Sequence, residues 1–85
     1  MWKNNEIKEI IVDIIKELIK DISLDLLQAD ADLVDLGLDS VVFVQLIVEL
    51  EEKFQVDVPD EVLFISELNT INKMTQLVEN LLGDN

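Results

Sequence analysis

Isoleucines and leucines recur at three- and four-residue spacing near the start of the chain: Ile7, Ile10, Ile11, Ile14, Ile15, Leu18 and Ile22, with charged residues between them. That spacing gathers the apolar side chains on one stripe, so it predicts an amphipathic helix over residues 5–21. Over 23–39 the apolar residues (Leu24, Leu26, Leu27, Leu33, Val34, Leu36, Leu38) lose the helical period, and five Asp and Gly37 punctuate them. This predicts a long ordered loop with a short helical turn near 33–36, its leucines packed on the core. Loops of this length in compact domains are often functional. Asp39 and Ser40 are good N-cap residues and open a second helix that runs to Phe54. Pro59 suits a first helical position and starts a short third helix over 59–65, and Thr70 caps a last helix over 71–82 that stops at Gly83. The fold class is all-α, a four-helix bundle with a long first loop and a short third helix.

The second helix carries two apolar faces. At roughly 100° per residue, Phe43, Leu46, Ile47, Leu50 and Phe54 share one arc, the core face. Val41, Val44 and Val48 fall on nearly the opposite side beside Gln45, Glu51 and Glu52. A bundle core does not need them there. They read either as extra burial beneath the long loop or the third helix, or as an apolar docking strip rimmed by polar groups.

Composition narrows the chemistry. The 85 residues make one small domain, covering the whole of 1–85, and the hydrophobic share of 49% excludes a disordered chain. Six Lys, no Arg and 19 acids give a net charge of −13, which repels nucleic acid and anionic lipid. The first twenty residues hold four Lys and four acids, so all of that excess belongs to the later segments. Neither Cys nor His is present, which removes disulfides, thiolate nucleophiles, imidazole bases and the usual zinc ligands. Any thiol must be imported. With no signal-peptide pattern, no uninterrupted apolar span and no cysteine framework, the expectation is a soluble, cytoplasmic monomer, and with no base or nucleophile constellation beside its carboxylates it is not expected to be an enzyme.

Three stretches together form a recognisable pattern: Leu36-Gly37-Leu38-Asp39-Ser40 at a helix start, Leu50-Glu51-Glu52-Lys53-Phe54 at its end, and Val58-Pro59-Asp60-Glu61 in the turn that follows. In these motifs, in helix order and in acidity the chain resembles the acyl and peptidyl carrier proteins over nearly its whole length. The resemblance implies that Ser40 is esterified with 4'-phosphopantetheine from coenzyme A by a phosphopantetheinyl transferase, and that the arm's thiol carries an acyl or aminoacyl group as a thioester. It implies that Asp39 lies where the transferase's metal and basic groups approach. Gly37 would relax the backbone and keep the serine exposed. A phosphodiester at a helix N-terminus meets unpaired N–H groups and the positive end of the dipole, which makes the position tolerable in so acidic a protein.

The first two turns after Ser40 read Val41, Val42, Phe43, Val44 and Gln45, where fatty-acid carriers typically place acids. That departure looks more like a free-standing carrier of nonribosomal peptide or polyketide assembly, with adenylation-type loading enzymes and condensation, ketosynthase or tailoring enzymes as partners. Val41, Val44, Gln45, Val48, Glu51 and Glu52 are then the expected partner face. A carrier of fatty-acid synthesis is the alternative within the family. An acidic calcium-binding or scaffold protein without an arm is the alternative outside it. The calcium reading fails on spacing, because a loop counted from Asp30 through Asp32 needs an acid at Val34 and a glycine at Asp35.

Overall fold

The computed structural model describes residues 2–23 and 25–83; Leu24, one of the loop leucines, lies outside them. Three α-helices carry the fold: α1 (Asn4–Leu18), α2 (Ser40–Phe54) and α3 (Ile71–Leu82). Three single 3-10 turns lie between them, at Leu33–Leu36, Asp60–Val62 and Ile65–Glu67. No strand occurs among the described residues. None of their helices is long and apolar enough to cross a membrane.

The apolar faces predicted for the first two helices are largely buried, with Ile10 and Leu18 only partly so. Ile7, Ile11, Ile14 and Ile15 of α1 meet Phe43, Leu46, Ile47, Leu50 and Phe54 of α2, and Ile71, Met74 and Val78 of α3. The loops add Leu33, Leu38, Val58 and Leu68 to the same core. Burying such side chains supplies about 1.5–3 kcal/mol each against the entropy of ordering a chain this short. Thr75 is the one buried polar side chain among the described residues, and its hydroxyl donates to the Ile71 carbonyl at 2.7 Å.

Two boundaries correct the sequence reading. α1 ends at Leu18 rather than at 21, because Ile19 turns extended (φ −111°, ψ 92°). Ile19 and Ile22 pack against the core from outside the helix. Burial beside the 33–38 segment wins there over the helical period. The expected third helix over 59–65 is two 3-10 turns instead, so the bundle has three α-helices and not four. Pro59 stands outside the first turn as its cap (φ −67°, ψ 144°), and Phe64 is extended (φ −119°, ψ 127°) between the two. A segment of that length closes too few i to i−4 bonds to offset nucleation.

The long loop is held as its leucines suggested, chiefly to the start of α3. The Leu33 N–H donates to the Asn69 carbonyl at 2.8 Å, and the Asn72 N–H to the Ala29 carbonyl at 3.0 Å. Asn72 also donates its side-chain amide to Asp30. These ties fix the height at which the loop delivers the chain to α2.

Candidate functional site

The approach to α2 is a chain of local decisions. Asp32 caps the 33–36 turn through its Oδ1 and the Val34 N–H (3.0 Å). The turn must then reverse, and Gly37 does this at φ 116°, where its N–H reaches the Leu33 and Val34 carbonyls. A Cβ at this position would stand 3.2 Å from Ile19 Cγ2. Both the dihedral and the contact therefore ask for glycine. Leu38 is buried and donates its N–H to the Leu33 carbonyl at 2.9 Å, which pins the next residues at the surface.

Asp39 is the N-cap of α2. Its Oδ1 accepts the Val42 N–H at 2.9 Å and its carbonyl accepts the Phe43 N–H at 2.8 Å. Ser40 follows as the first helical residue and is exposed. The N–H groups of Ser40 and Val41 have no acceptor among the described residues. An anion bonded to Ser40 Oγ would therefore find free donors and the positive end of the helix dipole beside it. This local chemistry fits a phosphodiester.

Gly37, Asp39 and Ser40 thus come together at one end of α2. Of the expected partner face, Val41, Val44 and Val48 are 68%, 61% and 47% exposed, so the loop and the later turns do not bury them. Gln45 and Glu52 are exposed alongside. Glu51 stands apart from that outward rim. It is half-buried, and its Oε2 accepts the Val58 N–H at 2.9 Å, holding the turn after α2 against the helix.

Sequence reasoning missed the opposite wall. A groove of about 620 Å³ runs between α2 and the 60–67 turns, with Ser40, Val44, Val48 and Glu51 on one side and Asp60, Leu63 and Phe64 on the other. Phe64 is 58% exposed. An aromatic residue outside any helical period, just after the Pro-Asp-Glu turn, was the available signal. No group of three or more metal-ligating side chains forms among the described residues.

Comparisons with known proteins point to one family. A family model described as the phosphopantetheine attachment site matches residues 5–78. The chain is 38% identical over 79 residues to a D-alanyl carrier protein of Leuconostoc mesenteroides subsp. mesenteroides, covering 92% of this chain and 99% of that protein. It is 40% identical over 77 residues to a D-alanyl carrier protein of Streptococcus sanguinis, covering 89% and 95%. A third such carrier, from Streptococcus suis, is 40% identical over 78 residues, covering 91% and 96%. By the extent of the family match and the full-length likeness to these relatives, the chain belongs to the carrier proteins that bear a covalent 4'-phosphopantetheine arm.

Proposed function

We propose that Ser40 is the attachment residue and that the loaded arm carries an aminoacyl group, with D-alanine the first candidate. The observation that carries the attachment is exposed Ser40 at the first position of α2, beside two N–H groups with no acceptor among the described residues. The arm supplies a terminal thiol that holds the cargo as a thioester. The chain's own part is to present Ser40 on a rigid helix end, to stabilise the phosphodiester with backbone dipoles, and to offer a surface to each enzyme in turn. Asp39 holds the first turn of that helix and leaves its carboxylate at the edge where a transferase must reach.

The cargo reading rests on the D-alanyl carriers to which the chain is similar over nearly all its length. It keeps the adenylation-type loading enzyme expected from the sequence, since a free amino acid must be activated before a thiol can displace a leaving group from its carboxyl. It moves the pathway away from peptide and polyketide assembly. The acid-poor turn from Val41 to Gln45, which suggested assembly-line enzymes, suits any loading enzyme with an apolar contact. Coenzyme A and ATP supply both steps, so this reading locates loading in the cytoplasm.

Intact-mass analysis tests both parts. Incubation with coenzyme A and a broad-specificity transferase should add the arm to the wild type and nothing to Ser40→Ala, whose helical circular dichroism stays the same. Labelling that persists in Ser40→Ala overturns the assignment. With ATP and a D-alanine-activating ligase, the armed protein should gain D-alanine in preference to L-amino acids. A carrier that the ligase ignores, and that an acyl-activating enzyme loads, overturns the cargo.

A further inference from the structure

The groove beside Ser40 is mostly apolar, yet two carboxylates reach it, Glu51 and Asp60, and no lysine does. Of the two lysines beyond residue 20, Lys53 lies on the side facing α1 with Ile10 and Asp13, and Lys73 donates to the Ser66 carbonyl and to Asn69 Oδ1. Among the described residues neither groove carboxylate has a cation within 4.0 Å. Glu51 is already engaged by the Val58 N–H, whereas the exposed Asp60 carboxylate accepts no hydrogen bond from the described residues. The groove therefore offers a small, unmatched negative charge against apolar walls.

We propose that Asp60, on the wall of the groove that begins at Ser40, favours arm-borne cargo with a free ammonium group, as an aminoacyl thioester has and a plain acyl thioester lacks. The inference rests on attachment at Ser40. Ser40 itself lies on the groove wall, so the tether starts inside the site. From Ser40 to Glu51 the helix advances about 16 Å, a distance the extended arm covers. The Glu51–Val58 bond brings the 58–60 segment to that far end. The cargo's α-ammonium is largely protonated at neutral pH and finds Asp60 there. The groove lining is largely apolar, which strengthens the attraction over that of a fully solvated pair.

The test compares wild type, Asp60→Asn and Glu9→Gln, the last removing the same charge from an exposed position on α1. Each is armed with phosphopantetheine whose sulfur is replaced by nitrogen, carrying amide-linked [13C]D-alanine or propionate, so that the cargo cannot hydrolyse. Intact mass first confirms attachment. NMR titration of the alanine label should give an acid dissociation constant about two- to fivefold smaller in wild type and Glu9→Gln than in Asp60→Asn, the range of a partly exposed ion pair. D-Alanyl cargo should also shift the amides of Val44, Leu63 and Phe64 more than propionyl cargo does. Equal constants in all three proteins, or equal amide shifts with the two cargoes, overturn the proposal; a groove kept for a partner's basic side chain would give that result. Absence of any mass gain overturns the attachment reading and this one with it.

Discussion

At the scale of single residues the site depends on positions that do no chemistry. Gly37 is held at φ 116° with Ile19 Cγ2 3.2 Å from where a Cβ would be, so it can neither relax nor accept a side chain without moving Ile19. Gly37→Ala should cost about 1–3 kcal/mol of stability, read as a lower urea midpoint. The Ser40→Ala change touches no such constraint and should leave that midpoint nearly unmoved. The motif around Ser40 was legible from the chain because each of its residues answers a local demand: a reversal at Gly37, a cap at Asp39, an exposed hydroxyl at Ser40. Glu51 was not. Its position on the helix wheel suggested an outward rim, and only the folded return of Val58 turns its carboxylate toward a backbone N–H.

Among the elements, α2 and α3 follow their sequence signals closely. Asp39 and Thr70 cap the starts, with Thr70 Oγ1 accepting the Lys73 N–H at 3.1 Å, and Gly83 closes α3 at φ 76°. Strong caps beside strong periodicity leave little for tertiary contacts to decide. The end of α1 and the 60–67 segment had no such punctuation, and packing decided both. The groove wall around Phe64 was hidden for the same reason, since residues in 3-10 turns share no period that a linear reading can follow. The outward face of α2 gives an element-scale prediction. Val44→Asp places a charge in an apolar contact surface that is 61% exposed, so thermal unfolding should change little while loading by the activating ligase falls by about tenfold or more. The same change at Val78, 1% exposed in α3, should unfold the domain. If Val44→Asp unfolds it too, the strip is core.

For the whole molecule the dominant fact is charge. A net −13 is carried on 85 residues, and the one ion pair among the described residues, Lys16 with Asp13 at 4.0 Å, is exposed and contributes little. Seven acids and one Lys lie between Asp39 and Glu61, so α2 and the turn after it hold together against repulsion. Screening sets in as the Debye length falls to ~10 Å near 0.1 M salt. Moderate salt should therefore slow hydrogen exchange selectively over 39–65 and leave the first twenty residues, whose four Lys balance four acids, nearly unchanged; a uniform change would refute this account. The far end of the bundle is quieter. Trp2 meets Phe54 edge to face, ring centroids 5.0 Å apart at 75°, and clamps the N-terminus to the last residue of α2, about 21 Å along the axis from Ser40. As the only tryptophan, it makes the protein's intrinsic emission a gauge of whether that clamp is closed. Its light will register melting of the bundle and stay dark to events at the opposite pole, so arming and charging of the carrier need a label placed near Ser40 to be watched in real time.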